Sequence, residues 1–351
     1  MPEYWQLKKI KNKEWRDRIV KNILNLRSHL REQIPQRTVT QTLLLATWNI
    51  RDFGARRFNP RKRVMESLFY IAEIISAYDI IAVQEVNENL NQFKDLLDIL
   101  GYPWTYICTD VTEGSGGNQE RMAFIYDRSK VQFRNMAGEI VLPKAHLITR
   151  KRQFARTPFL VSFQSGWFRF NLCTVHLYYG SDSSVGMKRR IAEIKTITKA
   201  LAKKAKKEDI SHIVLGDFNI IGPKDETMEA LLTNGFTIPD SIWDTASTPF
   251  SSKHYDQIAF RSEEGKVQFG NRGGIFNFFD SVFRDDESEI YIEKYSRDFE
   301  ERGDPEDEDR KLNYYLRRWR TWQMSDHLPM WIELEIDFTE DYLSSLKSTS
   351  K

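Results

Sequence analysis

The chain has 351 residues, 40% of them hydrophobic and 29% charged, which is ordinary globular composition with room for one large domain or two small ones. A formal charge of only +2 excludes a uniformly polycationic molecule, so any attraction to nucleic acid has to come from local clusters. The first residues, MPEYWQLKKIKNKEW, contain no apolar core of signal-peptide length, and no later run approaches ~18 apolar residues. The expectation is a soluble, cytoplasmic protein with no membrane partner. Cys108 and Cys173 are the only cysteines, too few for a disulfide framework or a thiolate zinc site, and both read as buried thiols.

Residues 12–34 read as an amphipathic helix. Trp15, Ile19, Ile23, Leu26 and Leu30 recur at helical steps, and Pro35 stops the run. This arm, within residues 1–40, precedes the first strand and is expected to serve packing, a dimer contact or a partner. The next elements are a strand at 42–50, a helix at 64–78, a buried strand at 79–86 and a helix at 89–101 closed by Gly101. Strands follow at 121–127, 159–165 and 169–177, then a long helix with a basic face at 186–206 and the strand HIVLGDF. YDQIAF (255–260), KVQF (266–269) and MWIELEI (330–336) complete the series. Strands outnumber helices and several adjoin without a helix between them, which argues for a mixed α+β sandwich over a regular parallel barrel. A Gly-rich loop at 111–120 and an acidic block at 284–310 interrupt the pattern. The expected organisation is an arm (1–40), a main domain (41–337) carrying the acidic insertion, and a tail (338–351).

Polar residues collect at the strand ends. ATWNI ends in Asn49, and IIAVQEV places Glu85 in a run that otherwise reads as fully buried. LCTVHL holds His176, VLGDFN holds Asp217 and Asn219, YDQIAF holds Asp256, and MSDHLP holds Asp326 and His327. An ionised carboxylate at such a position is costly unless cations or hydrogen bonds compensate it. Any one of these groups reads as a turn or a satisfied core residue. Six at the ends of six apolar strands point to one rim, where layered folds build their sites. The set offers hard oxygen ligands suited to Mg²⁺ or Mn²⁺, two histidines for acid–base work and amides to orient phosphate or water.

TWNI, QEV, VHL, GDFN, YDQI and SDHLP, in that order, resemble the signature strands of the endonuclease/exonuclease/phosphatase superfamily over residues 43–336. The resemblance implies a four-layered α/β sandwich, two packed mixed sheets flanked by helices, here with an N-terminal helical extension. It implies Glu85 as main metal ligand with Asn49 and Asp326 beside it, and His327 as general base steadied by Asp256. It further implies that Asp217 and Asn219 orient the nucleophile and phosphate, and that His176 donates to a phosphate oxygen.

Within the superfamily, QFARTPFL resembles the segment in which deoxyribonuclease-like members carry a phosphate-binding arginine, here Arg156. GNQERMAFIYD resembles their Tyr-x-Glu-Arg loop, with Glu120 and Arg121 matching and Asn118 standing where they have tyrosine. Basic residues cluster at Lys144, Arg150, Lys151, Arg152 and Arg156, and again at Lys188, Arg189 and Arg190. YYLRRWRTWQ (314–323) interleaves arginines with aromatics just before SDH. The expectation is a metal-dependent nuclease acting on DNA. A phosphoinositide or other phosphomonoesterase of the same fold is the alternative, and a catalytically silent nucleic-acid-binding module the reading from another class. The Trp-Cys-Asp-Arg run usual in 5-phosphatases is absent around Asp256.

Overall fold

A computed structural model describes residues 2–54, 63–112, 118–144, 147–148, 152–181, 184–208, 210–262, 267–293 and 307–348. Two mixed sheets pack face to face. One has six strands in the order β10-β11-β1-β2-β4-β3, and the other has five in the order β5-β6-β7-β8-β9. The first comprises β1 (Thr42–Phe53), β2 (Ile80–Asn87), β3 (Trp104–Cys108), β4 (Glu120–Asp127), β10 (Phe269–Ile275) and β11 (Met330–Glu335). The second comprises β5 (Gln132–Glu139), β6 (Phe159–Ser165), β7 (Phe168–His176), β8 (Ser211–Asp217) and β9 (Asp256–Arg261).

Strand β1 shows why the layers form. Its side chains alternate, so Leu43 and Leu45 turn to the inter-sheet core while Leu44, Ala46, Trp48 and Ile50 turn to the helices outside. With both faces covered, the strand reads as an unbroken apolar run. Helices α1 (Lys13–Gln33), α2 (Met65–Ser76) and α3 (Asn91–Leu100) contribute to the outer cluster on the first sheet, and α4 (Ser184–Glu208) and α5 (Glu226–Leu232) join the second sheet in one cluster continuous with the inter-sheet core. The result is the mixed α+β sandwich expected from the strand pattern, with the four layers that the resemblance implies. No described helix is long and apolar enough to cross a membrane.

Each sheet contains one parallel pair. β1 and β2 are joined through α2, and β7 and β8 through α4. Parallel strands end on the same side, so the register sets Asn49 beside Gln84 in one sheet and His176 beside Asp217 in the other. The antiparallel β9 then brings Asp256 opposite Asp217. Between the sheets, Gln84 Nε2 donates to Thr47 Oγ1 (3.1 Å) and to Thr174 Oγ1 (2.9 Å), a buried polar tie between β1, β2 and β7.

The N-terminal arm uses its apolar stripe internally. Ile19, Ile23, Leu26 and Leu30 are buried in the outer cluster, each contributing about 1.5–3 kcal/mol relative to exposure. Its polar residues reach further. Arg18 pairs with Glu287 at 2.8 Å, Asn25 donates to Ser281 O, and His29 Nδ1 meets Ser281 Oγ at 2.7 Å. Arg18 thus ties the arm to the acidic insertion, and Asn25 and His29 tie it to Ser281 just before that insertion.

Several elements were not legible. β3 has five residues, and β5 is an edge strand whose eight residues are all exposed, so neither shows an apolar run. α5 is short, and residues Thr339–Ser348 of the predicted tail form a helix. The KVQF strand is shifted: it starts at Phe269, and Lys266 lies outside the described residues. Residues 113–117 of the Gly-rich loop, residues 294–306 of the acidic block, and Arg150 and Lys151 also lie outside them.

Candidate active site

The GDFN turn is built by backbone geometry. Gly216 has φ +130°, and a Cβ there would sit 2.1 Å from Val175 O on the neighbouring strand, so only glycine fits. Asp217 then accepts from the backbone N–H of Asn219 at 2.9 Å, and Asn219, itself at φ +55°, donates its amide to Leu177 O at 3.0 Å. The turn is real, and it also delivers the other Asp217 oxygen, Oδ2, to the cleft. That oxygen accepts from Asn49 Nδ2 at 3.1 Å, linking the two sheets at the rim.

His327 lies beside it. Its Nδ1 meets Asp256 Oδ2 at 2.7 Å, and Asp256 also accepts from Ser247 Oγ at 2.7 Å. With Nδ1 so engaged, Nε2 faces Asp217 Oδ2 at 3.9 Å. Ser325 secures the loop before β11: its hydroxyl donates to Asn49 O (2.6 Å) and accepts from His327 N (3.0 Å). Trp48 Nε1 donates to His327 O from the other side.

Glu85 reaches the cleft through a bulge. The β2–β4 register shifts between Val83 and Val86, and Glu85 sits at φ +61°, where a non-glycine residue is strained. Simple alternation would send Glu85 to the helix side with Ile81 and Val83. Here it instead accepts from Asn49 Nδ2 (3.0 Å) and from the Asp52 backbone (2.8 Å). On the opposite wall His176 Nε2 lies 3.5 Å from Asp217 Oδ2 and 3.9 Å from Glu85 Oε1, and its Nδ1 is 3.0 Å from Glu120. Arg156 grips Glu120 with two donors, at 2.6 and 3.3 Å. A cleft of about 210 Å³ opens here, lined by Arg51, Asp52, Glu85, Asn87, Asn118, Glu120, Arg156, Trp322, Asp326 and His327.

The electrostatics follow from burial and neighbours. Burial, then the charge of Glu120, raises the Glu85 carboxyl above its ordinary value. Burial would raise Glu120 as well, but His176 and then Arg156 outweigh it and hold that carboxyl at about 2. Burial pulls His327 down, and Asp256 and Asp217 more than reverse this, so its proton is held well above the usual histidine range.

The donor set fits a hard divalent cation. Asn49 Oδ1 is buried without a hydrogen-bond partner while its Nδ2 donates to Glu85, and Glu85 and Asp326 both line the cleft, oxygen donors all. A different group, Asp217, Asp256 and His327, has ligand atoms within 4.8 Å of one another. There, however, Asp256 is fully buried and already bonded to His327 Nδ1, so a cation would have to break that pair. The set of Asn49, Glu85 and Asp326 would leave that pair intact.

Glu85, Asp326 and His327 line the cleft with Arg156 and Asn118, and Asn49, His176, Asp217, Asn219 and Asp256 join them through contacts of 2.7–3.9 Å. Arg121 is not among them. It follows the inward Glu120 on β4 and so takes the opposite face, where it donates to Asn87 O (3.1 Å) and Glu88 O (2.9 Å). Its expected phosphate contact is not met by this geometry. The basic–aromatic stretch is divided. Tyr315 and Trp319 are core, and the buried Arg320 pairs with Asp285 of the acidic block. Trp322 alone of these aromatics lines the cleft, with Arg51 3.9 Å over its ring. Sequence reasoning missed Ser325, Ser247, Arg51 and Arg63. Buried Arg63 donates to the carbonyls of Arg51, Asp52, Gln323 and Met324, yet in RKRV it looks like surface charge.

Residues 46–327 match the endonuclease/exonuclease/phosphatase family, and the chain belongs to it. This is a family of phosphoester hydrolases that typically depend on divalent metals. A search of curated proteins finds no match. Among solved structures, the human Nocturnin catalytic domain with bound sulfate superposes with a TM-score of 0.50 at 14% identity, covering 84% of this chain and 94% of that one. The mannosyl-6-phosphatase Bt3783 of Bacteroides thetaiotaomicron gives 0.52 at 15% identity, over 83% and 99%. Truncated TDP2 of Caenorhabditis elegans gives 0.50 at 14%, over 84% and 97%. At these identities the likenesses establish the fold.

Proposed function

We propose that the protein is a divalent-metal-dependent phosphodiesterase of nucleic acid, DNA in the first place, that works by direct attack of water in a cytoplasmic setting. The observation that carries this reading is the His327–Asp256 pair. With Nδ1 bonded to Asp256, Nε2 faces Asp217 across 3.9 Å, a separation that suits two groups sharing a water. His327 takes the proton of that water and Asp256 steadies the imidazolium. Asp217 and Asn219 orient the nucleophile and phosphate. His176, with Nδ1 against Glu120, turns Nε2 to a non-bridging oxygen as charge develops there. Glu85, Asn49 and Asp326 would hold Mg²⁺ or Mn²⁺, which when bound supplies positive charge against the phosphate and its leaving oxygen. Arg156 gives two donors to Glu120 and keeps others for a phosphate; Asn118 adds an amide.

The charge of the lining favours a diester over a monoester. Asp52, Glu85, Glu120 and Asp326 face Arg51, Arg156 and His327, and both arginines are already paired with carboxylates, Arg51 with Asp326 at 3.3 Å. A dianionic monoester meets stronger repulsion in such a cleft than a monoanionic diester. The test is supercoiled plasmid with Mg²⁺ or Mn²⁺, alongside EDTA and His327→Ala. Nicking lost in both controls supports the reading. Intact plasmid, with phosphate released from an inositol phosphate instead, would move the protein to the monoesterases.

A further inference from the structure

We infer that the strand enters the site with unpaired bases, one of which stacks on Tyr179, so that the protein prefers single-stranded or frayed nucleic acid to duplex. This rests on the phosphodiesterase reading and names the substrate class of the same site. Three residues past His176 the chain presents Tyr179, 41% exposed. Tyr255 meets it edge-on at 6.1 Å, and Tyr255 in turn lies against the His327 ring at 5.7 Å. An aromatic path therefore runs from the catalytic imidazole to an exposed ring on the lip of the site.

That lip is held firmly. Arg190, fully buried in α4, donates to Tyr179 O at 2.6 Å and to Asn219 O at 2.9 Å, and its guanidinium lies 4.7 Å from the Tyr179 ring. One side chain thus fixes the tyrosine relative to the residue that orients the phosphate. The cleft wall carries a second flat surface, Trp322 backed by Arg51, whose Nη1 also reaches Thr321 Oγ1 at 2.6 Å. In a duplex the base faces are covered by their neighbours, and such rings would meet only sugar and phosphate edges. A strand with unstacked bases offers its π-faces to them, and base–aromatic stacking tolerates any sequence.

The test uses the full chain with Mg²⁺ and three substrates: oligothymidylate, the same strand annealed to its complement, and a strand of tetrahydrofuran abasic residues that has the diester backbone without bases. We expect oligothymidylate to exceed the duplex about tenfold or more in kcat/KM. Tyr179→Ala should lower the ratio of oligothymidylate to abasic cleavage roughly 5- to 100-fold, mainly through KM, the loss of one stacked base. Tyr179→Phe, which keeps the ring, should restore it. Equal or better cleavage of duplex, or an equal fall on thymidylate and abasic strands, overturns the stacking assignment alone. Failure of the wild type to cleave any of the three with Mg²⁺ or Mn²⁺ overturns the phosphodiesterase reading beneath it.

Discussion

Replacing Asp256 with Asn removes one charge and almost no volume, at a residue with no exposed surface. Asp256 Oδ2 accepts from both His327 and Ser247, while Oδ1 has no hydrogen-bond partner. An asparagine can keep its oxygen toward His327 only by burying an unpartnered NH₂, at about 1–3 kcal/mol. Turned the other way, its NH₂ meets Nδ1 and forces the ring proton onto Nε2, the nitrogen that must accept from water. The charge matters as well. Burial lowers the His327 pKa and Asp256 is the largest influence raising it, so the variant ring becomes a weaker base. Together these should lower kcat/KM by 10²–10⁴, or about 3–5 kcal/mol of transition-state stabilisation. Because the wild-type value is raised above 6.5, activity should climb with pH along an acidic limb lying above 6.5, and in the variant that limb should move to lower pH. The assay is kcat/KM on an oligonucleotide across pH 5 to 9. A loss below about threefold with the limb unmoved would refute the assignment of His327 as the base held by Asp256.

Glu120→Gln tests the His176–Glu120–Arg156 group through stability. The folded carboxyl stands at about 2 against an ordinary 4.5, so its contribution is fully present above about 4.5 and fades as pH falls toward 2. Urea unfolding should show a loss of about 3 kcal/mol at pH 7, with variant and wild type converging in acid. Gly216→Ala forces a Cβ into Val175 O and should destabilise by about 2 kcal/mol or more, read from the thermal midpoint; an unchanged midpoint would contradict the close approach of β7 and β8. Glu85→Gln removes a carboxylate whose burial disfavours its charge, so the metal-free protein should not lose midpoint at pH 7, while the rise on adding Mg²⁺ should vanish. A Mg²⁺-induced rise that survives would point to the alternative trio of Asp217, Asp256 and His327.

The legible part of the site consists of residues that break the rule of their own strand. Asn49, His176 and Asp217 end runs that are apolar on both faces, and the only economical reason for polar groups there is a shared rim. Glu85 was legible as a residue but not as a conformation, because a bulge leaves no mark in the letters QEV. β5 was hidden for the opposite reason: an exposed edge strand has no apolar face to repeat. Hardest to read were the residues that hold the site without touching it. Arg63 precedes α2, the crossover of the β1–β2 pair, and Arg190 lies in α4, the crossover of the β7–β8 pair. Each buries a guanidinium against main-chain carbonyls near the strand ends, Arg63 at Arg51 and Asp52, where the β1–β2 register shifts between Asn49 and Phe53, and Arg190 at Tyr179 and Asn219, just past β7 and β8. Carbonyls in a register shift or past a strand end lack ladder partners, and a buried guanidinium with five donors can satisfy several at once. In each sheet the arginine stands at the parallel pair, β1–β2 or β7–β8. In RKRV and MKRRIAE both arginines look like ordinary surface charge, and only the fold shows that they are inside.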